Sequence, residues 1–85
     1  MPRREDRSGR INSAALTYVW AQIADDIRGD IKSGKLKPRD KLPAEVDLAR
    51  RYGVARMTVR RAIADLADNG EVVVLHGRGT FVAER

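Results

Sequence analysis

The stretch from Leu48 to Leu66, LARRYGVARMTVRRAIADL, narrows what this chain can fold into more than any other. Tyr52 stands four residues after Leu48 and three after Ala49, so the three side chains share one helical face. Gly53 follows, and a glycine just past a helix can take the left-handed conformation that ends it without a Cβ penalty. Val59, Ala62, Ile63 and Leu66 then repeat at helical period, while Arg56, Met57, Arg60, Arg61 and Ala64 point elsewhere. Two helices that cross steeply need a small residue at the crossing and an apolar one to lock the second helix down. Ala49, four before Gly53, and Val59, six after it, meet that need. This is the arithmetic of a helix-turn-helix.

The same stretch carries Arg50, Arg51, Arg56, Arg60 and Arg61 with no acidic residue among them. A formal net charge of +5 favours a polyanionic partner, and this clustering points to a phosphate backbone. The first turns of a second helix in such a pair enter the DNA major groove. Arg56 and Arg60, four apart, present planar forks that match guanine O6 and N7 or bind phosphate. Thr58 suits a thymine methyl or a phosphate, Met57 shares the exposed side, and Arg61 lies to the side where backbone contact is favoured.

Before this pair, Leu16, Val19, Trp20, Ile23, Ile27 and Ile31 recur at three and four, predicting an amphipathic helix over about 15–33. Ser13 or Thr17 would cap it and Gly34 would end it. Trp20 reads as a core anchor, and Asp25, Asp26 and Asp30 as a solvated face turned away from DNA. Residues 1–14, polar and of mixed charge, read as a flexible N-terminal arm, and 15–85 as the folded domain. A DNA-tracking role for that arm is weakened by Glu5 and Asp6 among its arginines.

Pro38 and Pro43 break the chain between helices, with Leu36 and Leu42 as docking points and a short strand near Lys41 and Leu42. The second helix runs over about 44–52, with Glu45 and Asp47 suiting its dipole, and the third over about 56–69, stopped by Gly70. Two β-rich runs, Glu71 to Leu75 and Thr80 to Val82, flank His76-Gly77-Arg78-Gly79 and predict a hairpin. A hairpin directly behind a recognition helix is a wing. The fold class expected is mainly α with a small β-hairpin: three helices plus a two- or three-stranded wing. Its tip, His76, Gly77 and Arg78, is suited to the minor groove, where arginine senses groove width.

Enzyme chemistry finds little to use. There is no cysteine and one histidine, and Ser8, Ser13 and Ser33 lie away from any base. His76 alone cannot hold a metal, and Asp25 with Asp26, or Asp65 with Asp68, read as solvated charge. The expectation is a non-enzyme without cofactor or metal. No apolar run approaches the ~18 residues of a membrane span, so the chain is read as soluble, intracellular and free of membrane contact.

From Tyr18 to Val82 the chain resembles the N-terminal DNA-binding domain of the GntR family of bacterial transcriptional regulators. Lys41-Leu42-Pro43-Ala44-Glu45, Leu48-Ala49, Tyr52-Gly53-Val54, Arg56-x-Thr58-Val59-Arg60 and Gly77-Arg78-Gly79-Thr80-Phe81-Val82 carry the resemblance. It implies a winged helix-turn-helix that binds a palindromic double-stranded operator as a homodimer in the cytoplasm, at the nucleoid, and usually represses transcription. It also implies DNA contacts from Arg56, Thr58, Arg60, His76 and Gly77. Ala55 stands where the family usually has Ser or Thr, and Val46 where some members carry arginine. Family members normally continue into an effector-binding and dimerisation domain. With the sequence stopping at Arg85, the expectation is weak dimerisation or a monomer off DNA, with the small-molecule effector binding elsewhere. Two other readings remain: a winged helix that binds protein, or a non-specific DNA binder.

Overall fold

The computed structural model describes residues 5–84. Three helices, α1 (Val19–Ser33), α2 (Glu45–Tyr52) and α3 (Arg56–Asp68), precede two strands, β1 (Val72–Leu75) and β2 (Gly79–Val82). Their ends follow the backbone chemistry of single residues. Gly34 and Gly53 close α1 and α2 in the left-handed region, at φ 85° and 68°. At Gly53 the reversal lets the Val54 N–H donate back to the Ala49 carbonyl at 3.0 Å, and a Cβ added there would lie 3.2 Å from that of Ser8.

The start of α1 differs from the sequence reading. It begins at Val19, and neither Ser13 nor Thr17 caps it. Gln22 is the reason: its amide accepts from the Asn12 N–H at 2.8 Å and donates to the Asn12 and Thr17 carbonyls at 2.9 and 3.0 Å. These bonds hold 12–17 as a loop and leave Leu16 fully exposed.

All three helices face one core. Ile23, Ala24 and Ile27 of α1 meet Leu48, Ala49 and Tyr52 of α2 and Val59, Ala62, Ile63 and Leu66 of α3. The small Ala49 sits in this core and Val59 is fully buried, as the crossing argument requires. Truncating a side chain as enclosed as Leu66 to alanine costs roughly 2–5 kcal/mol.

The hairpin is antiparallel, pairing Val72 with Val82, Val73 with Phe81, Val74 with Thr80 and Leu75 with Gly79. Val72 and Val82 are buried and root it in the core. The expected strand near Lys41 and Leu42 is reduced to one bridge, Lys41 to Phe81. Around it the Leu42 N–H donates to the Thr80 carbonyl and the Val82 N–H to the Asp40 carbonyl, both at 2.8 Å.

Residues 5–11, expected within a loose arm, are docked against α1 and α2. A 3-10 turn (Ser8–Arg10) packs on α2, and the Arg7 N–H donates to the Arg51 carbonyl at 2.6 Å. The Arg7 side chain, almost wholly buried, reaches Glu5 at 2.7 Å and both Asp26 and Asp30 at 2.8 Å. Its Nη1 also donates to the Tyr52 hydroxyl, which donates to Asp26 at 2.6 Å. Burial opposes the Arg7 charge, yet these bonds outweigh it and move its pKa up. Burial pushes the Tyr52 phenol up. Asp26 is pushed up by burial but pulled further down by hydrogen bonds from Tyr52 and Arg10, so it lies below the usual carboxylate range. Hydrogen bonds from Arg7 and Lys35 bring Glu5 to about 2. The acidic face of α1, expected to be solvated, is therefore largely taken up. Residues 1–4 of the expected arm lie outside the described residues.

Candidate nucleic-acid interface

The eight residues singled out by the sequence all reach the surface. Arg56, Met57, Arg60, Arg61, His76, Gly77 and Arg78 are exposed, and Thr58 is half-buried. This follows from the register of α3. Burying Val59, Ala62, Ile63 and Leu66 leaves the positions between them outside. Ala55 precedes α3 in extended conformation without a side-chain cap, as expected from its methyl group.

The structure brings these residues together in two hollows lined by α3. The larger, about 580 Å³, lies between α3 and the wing and gathers Arg56, His76, Gly77 and Arg78 with Lys41 and Glu45. The second, about 420 Å³, collects Met57, Thr58, Arg60 and Arg61 beside Trp20. At the wing tip Gly77 has φ 77°, and the Arg78 N–H closes the turn onto the Leu75 carbonyl at 2.9 Å. That left-handed position holds His76 and Arg78 on the same lip as Arg56.

Two residues take parts that the sequence reading did not assign. Glu45, read there only as a complement to the α2 dipole, accepts from Arg60 Nη2 at 3.0 Å and Nε at 3.3 Å, and lies 3.7 Å from Arg56. Those hydrogen bonds hold the Glu45 carboxyl below its ordinary value and raise Arg60. Arg60 thus spends one edge of its guanidinium on Glu45. Its Nη1 rests on the Met57 sulfur at 3.9 Å, a weak contact that an outside acceptor can displace on a side chain 56% exposed. Only the packing of α2 against α3 reveals this pairing, since the two residues are 15 apart.

Trp20, expected as a core anchor, packs against the core but is only half-buried. Its ring stacks on Tyr18 at 5.9 Å and carries the Arg61 guanidinium at 5.3 Å. The alternation of apolar residues in α1 located the tryptophan without showing that its outer face meets α3.

Among the described residues no group of His, Cys, Asp and Glu side chains is placed to hold a metal ion. Likewise, no helix there is long and apolar enough to cross a membrane.

Residues 20–82 match the family described as "Bacterial regulatory proteins, gntR family". NagR of Bacillus subtilis, an HTH-type transcriptional repressor, is 39% identical over 74 residues, 87% of this chain and 30% of that protein. YtrA from Sulfolobus acidocaldarius, a GntR-family transcription factor, superposes with a TM-score of 0.82 at 39% identity over 88% of this chain and 79% of that one. The AraR DNA-binding domain in complex with operator ORX1 gives 0.79 at 36% identity, covering 85% and 89%. The chain spans about a third of the length of the curated relatives it matches. A three-helix core, a paired ribbon behind α3 and a family match across both make the protein a winged helix-turn-helix, and the chain belongs to the GntR family of bacterial regulatory proteins.

Proposed function

We propose that this chain binds double-stranded DNA sequence-specifically as the DNA-binding module of a transcriptional regulator, most simply a repressor. The observation that carries this reading is the hollow between α3 and the wing, whose lining brings Arg56 of the recognition helix together with His76, Gly77 and Arg78 of the wing tip. With α3 in the major groove, Arg56 and Arg60 face base edges, Thr58 fills beside them, Met57 lies toward the strand, and Arg61 takes backbone phosphate. The wing tip lies at the adjoining minor groove, with Arg78 toward its narrow floor. Glu45 holds Arg60 by Nε and Nη2, and displacing the weak Met57 contact frees its remaining N–H groups for a guanine O6 and N7 pair. The site is a palindrome read by two copies, in the cytoplasm. A small-molecule effector would act through a part of the regulator other than these helices.

Selection of bound sites from random duplex DNA tests the proposal. Enrichment of a palindromic site with fixed half-site spacing supports it. Binding without any enriched site would reduce the chain to a shape-blind DNA binder. No salt-dependent retention on DNA would leave it a protein-interaction module.

A further inference from the structure

The lip between α3 and the wing accounts for Arg56, His76 and Arg78, but leaves unexplained the aromatic ledge beside the second hollow. There Tyr18 is 74% exposed and Met57 67%. Trp20 stacks on Tyr18 with only 14° between the rings, forming a nearly flat aromatic shelf where α1 begins. Arg61 lies over the indole at 5.3 Å, inside the range of a cation–π contact, and makes no ion pair among the described residues. Arg56 and Arg60, by contrast, share Glu45. No carboxylate lines the adjoining hollow, whose polar groups come from Thr58, Arg60 and Arg61.

The geometry points to Trp20 as a positioning residue for DNA binding: its indole face holds the Arg61 guanidinium extended so that it clamps a backbone phosphate, with the sugar of that strand lying against Tyr18 and Met57. This rests on the DNA-binding reading above. An indole satisfies the flat face of a guanidinium and leaves its N–H groups free at the rim, whereas a carboxylate would consume them. A long side chain already laid on a ring also loses less freedom when it meets its acceptor. Phosphate is the occupant favoured over an acidic or apolar protein surface, because every charge on the hollow is positive and it shares α3 with the base-facing residues.

The test measures how binding to mixed-sequence duplex DNA falls with salt. Each phosphate contact contributes about 0.9 to the slope of log K against log salt. Arg61→Ala should make the slope shallower by about 0.9. Trp20→Met, which keeps apolar bulk without a ring, should lose the same amount, Trp20→Phe should restore it, and Trp20→Met with Arg61→Ala should lose no more than either alone. Trp20 is the only tryptophan in the sequence, so its own emission is a second readout that needs no variant, and it should shift when DNA is added. A wild-type slope retained in Trp20→Met, or an emission unmoved by bound DNA, overturns the assignment while leaving the DNA-binding reading intact. A wild type with no salt-dependent binding would remove both.

Discussion

Arginine does two different jobs in this small domain, and the number of carboxylates around each one separates them. Arg7 faces Glu5, Asp26 and Asp30, and Arg28 faces Asp25, Asp65 and Glu71. Each joins parts of the chain that are distant in sequence: Arg7 ties the N-terminal turn to α1, and Arg28 ties α1 to α3 and the foot of the wing. On α3, by contrast, Arg56 and Arg60 divide one carboxylate, and Arg61 lies on an aromatic ring. A guanidinium saturated by its own chain has no capacity left for a ligand, whereas one that is underserved is poised for an outside anion. A pI or a count of basic residues cannot make that distinction.

The largest expected effect falls on the saturated group. Arg7→Ala takes from Asp30 its arginine and leaves Asp26 to Arg10 and Tyr52 alone, and should cost about 2–3 kcal/mol of stability, less than a fully buried pair because the carboxylates keep some water. Chemical denaturation would measure it. The salt slope of DNA binding should not change, and a shallower slope would show that Arg7 also serves the interface.

Arg60→Ala should reverse the pattern. Melting should stay near wild type, because the side chain is exposed, while affinity for the selected site falls by roughly 1–3 kcal/mol and discrimination at one base is lost. If the variant binds its best site as tightly as wild type, Arg60 is not a base reader. Glu45→Gln sharpens the same point: Arg60 keeps its charge but loses its guide, so specificity should decline more than affinity for mixed DNA.

Acid offers a gentler probe of the saturated side. The folded state holds Glu5 near 2 and Asp26 below its ordinary value, so these carboxylates stabilise the domain above their unfolded values. That contribution should disappear as pH falls from about 4.5 toward about 2. A pH series of melting curves should therefore fall less steeply in Arg7→Ala than in wild type. The smallest effect is expected at Arg39, which adopts φ 72° in the turn after Pro38. Arg39→Gly should raise stability by up to about 1 kcal/mol, since its ion pair with Glu84 is solvent-exposed and worth little.

Much of this architecture was legible in the sequence because its signals are local. Gly53, Val59 and the β-branched run after Gly70 each declare themselves within a few residues, and α2, the turn, α3 and the wing stand where those residues place them. The exposed set on α3 follows from the same periodicity. What escaped was pairing between elements. Arg7 meets Asp26, 19 residues on, and Tyr52, 45 residues on, contacts that exist only once α1 and α2 are crossed. Read along the chain, Arg7 was one charge among several offset by Glu5 and Asp6. Leu16 misled for a related reason. It keeps the helical period of α1, but the Gln22 amide captures the backbone before the helix can extend to it.

The lone bridge between Lys41 and Phe81 makes the two edges of the ribbon unequal. β2 is fastened on both sides, to β1 and to the segment leading into α2, whereas β1 has a strand neighbour on one side only. The ribbon is thus held along both margins by different means: β2 is stitched through its backbone to the segment entering α2, while β1 lies against the reading helix, so the tip is carried by both halves of the helix pair.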